Sequence, residues 1–195
     1  MQQSPLLTIR PEDLSVIYSL ESARLGNRPL TERYLSELRG CFANESAFDN
    51  ALAMGNSLIY AVSAVEPAHG DGQLHYGLGI VQPGRIGDEY YMTKGHYHTH
   101  RNAAEVYIGL SGDGAMLLED EVTRETRLIP LNGRSVVYVP GHTAHRTVNT
   151  GTEPLVYFGI YPSNAGHDYA AIAEKNFSHL VVATSTGPQL IHRKD

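Results

Sequence analysis

The sequence predicts an all-β fold, in which short strands build a closed or sandwiched antiparallel sheet. From residue 58 onward the chain consists of short segments rich in Val, Ile and Tyr, the residue types that favour strands. Turn signals such as PGRIGD, SGDG, LNG and NTGTEP separate these segments. Many short strands with no strong helix among them are typical of sandwiches and barrels. We expect the strands at residues 58–65, 75–82, 105–110, 115–119, 124–129, 135–139, 155–161 and 180–183.

The first 57 residues differ in pattern from the rest. Residues 30–38 (LTERYLSEL) repeat apolar side chains at helical spacing, and residues 44–52 (NESAFDNAL) begin with Asn44, a good N-cap residue. We therefore predict two short helices in an N-terminal extension, residues 1–57. This extension is expected to pack against the barrel formed by residues 58–195, or against a partner subunit.

The composition argues against nucleic-acid and membrane partners. The formal net charge is −6 and no long Lys/Arg run offsets it, which argues against a nucleic-acid partner. No stretch approaches the roughly 18 apolar residues that span a bilayer, and the N-terminal MQQSPLLTIRPEDL lacks the apolar core of a signal peptide. The single cysteine, Cys41, forms no internal disulfide. We therefore expect a cytoplasmic protein with no membrane and no nucleic-acid partner.

Three of the ten histidines stand within five residues, in the segment GHYHTH. Residues two apart on a strand point to the same face, so His96 and His98 are predicted to present two imidazoles to one side. Glu105 begins the next strand, and His145 follows the strand at 135–139, so both side chains are candidates for the same site. An isolated His-x-His pair fits an exposed polar patch equally well, but four donors favour a metal centre. Three imidazoles and one carboxylate suit Fe(II), Mn(II), Zn(II), Ni(II) or Co(II).

The other histidines are weaker candidates. His100 is expected near the mouth of the site or without a role in it. His142 lies three residues before His145, in a turn, and ranks below it as a ligand. Ordinary surface or hydrogen-bonded roles are expected for His75, His179 and His192.

Two segments resemble the conserved motifs of cupins. GHYHTHRNAAEVYIGLSG is similar to the first motif, with its HxH pair, a downstream Glu and the closing Gly112. VPGHTAHRTVN is similar to the second, with Pro140, His145 and Asn149. Six residues separate His98 from Glu105, where the common pattern has three or four. The resemblance implies a cupin double-stranded β-helix, also called a jelly-roll barrel.

Longer strings point to one subfamily. TKGHYH, AEVYIGLSGDGAMLL, VVYVPGHTAHRTVNTGTEPL and IYPSNAGHDYAAIAEKNFS together look like the cupin-type glucose-6-phosphate isomerases. This likeness implies one divalent metal ion per subunit, with Fe(II) as the first candidate, and a homodimer. The metal ligands it implies are His96, His98, Glu105 and His145. Phosphate contacts are implied at Thr93, Gly95 and Tyr161, with Lys94 beside them. Catalytic roles are implied for Glu105, Tyr107 and His167, the last two near the sugar.

The chain departs from the subfamily at Gly79, where relatives commonly carry a Thr that helps to hold the phosphate. Either another group supplies that hydrogen bond or binding is weaker, and Gly79→Thr is expected to tighten binding. A second departure is GHTAH, where relatives often carry aromatic residues before the Ala-His pair.

The function implied by the resemblance is the interconversion of glucose 6-phosphate and fructose 6-phosphate in glycolysis or gluconeogenesis. Removing a carbon-bound proton next to a carbonyl is the difficult step, and a carboxylate such as Glu105 is the best candidate base. A hydride shift, in which Glu105 is only a ligand, stays open at this point. Two other functions also remain: another metal-dependent cupin enzyme, such as a dioxygenase, and a sugar-binding cupin without catalysis.

Overall fold

Strands dominate the structure, a computed structural model that describes residues 8–194. The strands are β1 (Tyr18–Ser19), β2 (Arg24–Leu25), β3 (Thr31–Tyr34), β4 (Leu58–Val65), β5 (Leu74–Val81), β6 (Arg85–Ile86), β7 (Glu89–Tyr90), β8 (Glu105–Ser111), β9 (Gly114–Asp120), β10 (Thr126–Pro130), β11 (Val136–Val139), β12 (Thr143–Asn149), β13 (Leu155–Pro162), β14 (His179–Thr184) and β15 (Gly187–His192). The α-helices are α1 (Pro11–Leu14), α2 (Glu45–Met54) and α3 (Ala170–Lys175), and a 3-10 turn spans Leu35–Leu38. The all-β prediction is confirmed.

The strands form antiparallel sheets. A six-stranded sheet has the order β11-β8-β13-β5-β4-β3, and a three-stranded sheet has the order β10-β9-β12. Strands β15-β14-β7-β6 form a third sheet, and β1-β2 a small hairpin. The six-stranded and three-stranded sheets share one buried apolar cluster. Tyr107 and Tyr157 contribute to it from the six-stranded sheet, and Met116 and Val148 from the three-stranded sheet. The alternation of buried and exposed positions along β11 places Val137 and Val139 in that cluster.

The predicted helix at 44–52 is confirmed and extends to Met54. Asn44 caps it as expected, because its side-chain oxygen accepts a hydrogen bond of 2.9 Å from the Ala47 amide. Phe48 anchors the helix in the core, where it is 2% exposed. None of the helices among residues 8–194 has the length and apolar character needed to cross a bilayer.

The predicted helix at 30–38 is wrong. Residues Thr31–Tyr34 form β3, which pairs with β4 and is itself the edge strand of the six-stranded sheet, and the chain then makes the 3-10 turn. A nine-residue helix is marginal by itself in water, whereas pairing with β4 satisfies backbone groups that the edge would leave free. Leu35 and Leu38 still reach the core, which explains their apolar spacing. The domain boundary at residue 57 stays a prediction, although β3 and β4 are hydrogen-bonded across it.

Among residues 8–194, seven strands were not predicted: the short β1, β2, β3, β6 and β7, and the longer β12 and β15. β12 (Thr143–Asn149) is buried along almost its whole length even though it carries His145, Arg146 and Thr147. Hydrophobic alternation therefore does not reveal it. β15 (Gly187–His192) is mostly exposed and, among the described strands, pairs only with β14.

Candidate metal centre and substrate cavity

Four buried side chains meet at one point. One donor atom from each of His96, His98, Glu105 and His145 lies within 4.8 Å of the others, and all four residues are buried. The predicted set of donors is therefore brought together.

The backbone explains this convergence. His96 and His145 form an isolated antiparallel bridge, in which the His96 amide donates to the His145 carbonyl at 3.1 Å and the His145 amide donates back at 3.0 Å. Directly paired residues project their side chains to the same face of a sheet. His98 is two residues further along the same segment, and Glu105 begins β8.

Hydrogen bonds to backbone carbonyls orient two of the imidazoles. His98 Nδ1 lies 2.9 Å from the Ala103 carbonyl oxygen, and His145 Nδ1 lies 3.1 Å from that of Thr143. A carbonyl only accepts, so each Nδ1 carries a proton and each Nε2 is directed inward. These two Nε2 atoms face Glu105 Oε2 at 3.3 and 3.1 Å. Contacts of this kind on the outer nitrogen are what fixes the orientation of metal-binding histidines.

The donor set fits a divalent cation. The Nε2 atom of His96 is buried and has no hydrogen-bond partner among residues 8–194. A buried nitrogen in that state is costly unless something binds it. The Nε2 atoms of His98 and His145 point at a carboxylate oxygen, and a neutral nitrogen lone pair and a carboxylate attract each other only through a shared proton or cation.

The pKa directions of two donors, His96 and Glu105, favour their metal-binding forms at neutral pH. Burial alone would lower the pKa of His98, but its contacts with Glu105 and the Ala103 carbonyl outweigh burial and raise it. Burial, together with the neighbouring His145 and His167, holds the pKa of His96 well below its usual value, so the imidazole is neutral. Burial alone would raise the pKa of Glu105, but its close contacts with the imidazoles of His145 and His98 outweigh burial and lower the pKa to about 2. The carboxylate is therefore ionised.

A cavity of about 260 Å³ opens beside this centre. His96 and Glu105 lie on its wall. The other predicted site residues, Thr93, Lys94, Gly95, Tyr107, Tyr161 and His167, also line it. The ring of His167 is centred 4.5 Å from that of His96. The residues predicted from the sequence thus border one space, except for His98 and His145, which lie behind its wall in contact with Glu105.

The segment at 93–95 is held in place by β12. The Thr93 amide donates to the Thr147 carbonyl at 2.9 Å, and Thr93 Oγ1 accepts from the Thr147 amide at 3.1 Å. Gly95 has a φ of +77°, and a Cβ there would lie 2.7 Å from the Phe177 ring, so only glycine fits. Arg146 Nη2 donates to the Lys94 carbonyl at 2.5 Å. The chain therefore turns tightly at the cavity wall.

Several cavity residues were not predicted from the sequence. They are Thr31, Arg33, Tyr60, Val62, Ala64, Glu66, Gly77, Tyr157, Gly159 and Tyr169. Arg33 was missed because its segment was assigned to a helix. Glycines inside strands were the available signal, since such glycines often mark a close approach. Gly159 is an example, because a Cβ there would lie 2.8 Å from Glu105 Oε1.

The expectation for Gly79→Thr changes with the structure. Tyr157 lies directly opposite Gly79 in the β13–β5 pair. A Cβ at Gly79 would lie 2.5 Å from Tyr157 Oη and closer still to its ring carbon Cζ. The tyrosine already fills the volume that a threonine would need, so tighter binding from this substitution is no longer expected.

The weaker histidines lie outside the centre. His100 is exposed, and its backbone amide bonds to Ala165. His142 is also exposed and is held by Glu121 and Asn102, at 3.2 and 2.7 Å. A second cluster of potential donors, Glu66, His69 and His75, has only His75 buried.

Known proteins place the chain in a family. The family model for glucose-6-phosphate isomerase (GPI) matches residues 32–195. A glucose-6-phosphate isomerase of Pyrococcus horikoshii is 43% identical over 171 residues, which cover 88% of this chain and 90% of that protein. One from Thermococcus gammatolerans is 45% identical over 150 residues, covering 77% and 78%.

More distant proteins also match. A putative glucose-6-phosphate isomerase 2 of Rhizobium meliloti is 40% identical over 168 residues, covering 83% of this chain and 84% of that protein. Among solved structures, an oxalate oxidase with the substrate analogue glycolate aligns over 58% of this chain and 56% of that chain, with a TM-score of 0.49 and 12% identity. From the family match and the identity to the Pyrococcus and Thermococcus enzymes, we conclude that the chain belongs to the glucose-6-phosphate isomerase family.

Proposed function

We propose that this family member is a metal-dependent isomerase that interconverts glucose 6-phosphate and fructose 6-phosphate, with His96, His98, Glu105 and His145 as the ligands of one divalent ion. The observation that carries the proposal is the clustering of these four buried donors beside a cavity, which two of them, His96 and Glu105, line together with the predicted phosphate-binding residues. Family membership favours this function over a dioxygenase or a sugar-binding cupin without catalysis.

One set of cavity residues is assigned to the phosphate. Thr93 offers a hydroxyl, Gly95 its backbone N–H, and Lys94 a positive charge. Tyr161 adds a phenol that stays protonated, because burial raises its pKa to about 12. Anchoring the phosphate there fixes the position of the reacting carbons relative to the metal centre.

A second set of residues, at the candidate metal centre, is assigned to the chemistry. When bound, a divalent ion supplies a Lewis acid that stabilises negative charge on the carbonyl and hydroxyl oxygens of the sugar. Glu105 is ionised, so it can accept the carbon-bound proton and return it to the neighbouring carbon. His167, whose pKa is lowered by burial, is a neutral imidazole at pH 7, and it is proposed to hydrogen-bond the sugar together with Tyr107.

A coupled isomerase assay on metal-stripped protein tests the proposal. Activity should be absent after stripping and should return with a divalent ion, with Fe(II) the first candidate. The enzyme should use glucose 6-phosphate far better than glucose, because the free sugar has no phosphate for the proposed phosphate-binding residues to contact. Equal kcat/KM on the two sugars, or full activity without metal, would overturn the proposal. The homodimer and the cytoplasmic location stay predictions.

A further inference from the structure

Tyr157 is a buried polar group that the chemistry above does not use. It lies on β13, lines the substrate cavity and is 6% exposed. Its ring lies over Gly79 on the neighbouring strand β5. The phenol group therefore fills the space that a side chain at position 79 would occupy.

The phenol lines the same cavity as the predicted phosphate contacts Thr93, Gly95 and Tyr161. Tyr157 and Tyr161 stand four residues apart on β13, so both side chains project to the cavity face of this strand. Burial raises the pKa of Tyr157, so its hydroxyl keeps its proton and can act as a donor.

We propose that the Tyr157 hydroxyl is a phosphate-binding group, which donates a hydrogen bond to the substrate phosphate from the wall formed at Gly79. The absence of a side chain at Gly79 makes room for this hydroxyl, so the position of the Tyr157 phenol depends on the glycine. This inference rests on the proposed function for the identity of the substrate, but phosphate binding can be measured without catalysis.

Packing alone is the alternative explanation for Tyr157. An aromatic ring over a glycine on the adjacent strand is a common way to fill space in a sheet. Tyr157→Phe separates the two roles, because it keeps the ring and removes only the hydroxyl. A role in packing would leave phosphate affinity unchanged in this variant.

The experiment measures the dissociation constant of inorganic phosphate by calorimetry on metal-loaded protein, together with KM and kcat for glucose 6-phosphate. Tyr157→Phe should weaken phosphate binding and raise KM by about tenfold, as expected for a lost hydrogen bond to a charged group, with kcat nearly unchanged. The matched control is Tyr76→Phe on β5, whose side chain does not line the cavity and bonds to Asp13 at 3.4 Å. It should change neither value.

A second variant tests the pairing with Gly79. Gly79→Ala adds a Cβ that must displace the phenol, so it should weaken phosphate binding to a similar extent. Added to Tyr157→Phe, it should cause little further loss, because the hydroxyl is already absent. An unchanged phosphate affinity in Tyr157→Phe, or an equal effect of Gly79→Ala in both backgrounds, would overturn the inference.

The proposed function and this inference fail in different ways. A wild-type protein that binds phosphate through Tyr157 but lacks isomerase activity would contradict only the proposed function. An active wild-type enzyme whose Tyr157→Phe variant binds phosphate normally would contradict only the inference.

Discussion

The two oxygens of Glu105 face different neighbours. Oε2 lies within 3.3 Å of the inward nitrogens of His98 and His145, whereas Oε1 lies against the backbone of Gly159. Ligation and proton transfer therefore compete for one side chain. Its lowered pKa favours ligation, because a weakly basic carboxylate remains ionised beside a cation but accepts a proton less readily.

Replacing Glu105 by Gln separates the two duties. Gln keeps an oxygen that can coordinate metal, but it cannot accept the carbon-bound proton. We expect kcat to fall by roughly 10²–10⁴, a typical cost of a lost general base, and to stay low when excess ion restores metal content. Metal content by elemental analysis and kcat by coupled assay are measured on the same samples.

The control is Glu125→Gln, an exposed carboxylate paired with Arg127 on β10, which should change neither quantity. If Glu105→Gln recovered near wild-type kcat once saturated with metal, Glu105 would be a ligand alone. The hydride-shift mechanism would then be the better description.

At the scale of elements, strand β13 joins the metal centre to the cavity. It crosses the middle of the six-stranded sheet, between β8 and β5, and contributes Tyr157, Gly159 and Tyr161 to the cavity wall. These residues are two apart, so they project to the same face. The small residue in the middle leaves room for the Glu105 carboxylate.

Gly159→Ala should therefore disturb the metal centre. Its Cβ would approach Glu105 Oε1 to 2.8 Å, and the carboxylate would have to move. We expect metal affinity and activity to fall together, with a small change in thermal stability. Gly77→Ala on β5 is the matched control, because its Cβ would lie 3.5 Å from the nearest atom, an ordinary contact. Equal metal affinity in the two variants would show that Glu105 does not depend on the space at Gly159.

Strand β7 carries a buried acid that should make stability depend on pH. Glu89 is 4% exposed, and its Oε2 atom accepts a hydrogen bond of 2.9 Å from the Ala43 amide. Its Oε1 atom has no hydrogen-bond partner among the described residues, and the nearest cation, Arg193 Nη2, lies 3.9 Å from it. Burial raises the pKa of Glu89 above its usual 4.5. An acid with a raised folded pKa stabilises the native state below 4.5, and this contribution is lost as the pH rises through the folded pKa.

Glu89→Gln should remove the loss of stability that ionisation of Glu89 causes as the pH rises. The difference in free energy of unfolding between wild type and variant, measured by urea denaturation, should shift in favour of the variant as the pH rises from 4.5. Glu125→Gln again serves as the exposed control and should show no such trend. A pH-independent difference for Glu89→Gln would mean that the carboxyl has the same pKa in the folded and unfolded states.

At the scale of the whole molecule, the candidate metal centre brings together residues from separate parts of the chain. His96, Glu105 and His145 come from three separate segments, and the cavity beside them also uses Arg33 near the N-terminus and Tyr169 near the C-terminus. The unfolded chain cannot hold these groups together. An ion that binds only the native state should therefore stabilise the entire fold.

Thermal unfolding with and without metal measures this coupling. At a free ion concentration of about 100 times Kd, the expected stabilisation is about 2.7 kcal/mol, which raises Tm. His145→Ala removes a proposed ligand and should abolish most of the shift. His142→Ala, three residues away and held by Glu121 and Asn102, should retain it. The same metal-induced shift in both variants would contradict the proposed ligands.

Local patterns in the sequence determined much of this protein. Short segments rich in Val, Ile and Tyr predicted strands that the structure contains, and Asn44 predicted the start of α2, because strand preference and capping depend on near neighbours. The spacing of His96 and His98, with Glu105 and His145, picked out four donors that the structure brings together.

The tertiary structure decided the features that depend on distant partners. Residues 31–34 form a strand because they pair with β4. β12 is buried in spite of its polar side chains because His96 pairs with His145 and Thr93 bonds to Thr147. Only the pairing of β13 with β5 places Tyr157 over Gly79. Register between strands is set by contacts far apart in sequence, so a local pattern cannot show which side chains face each other.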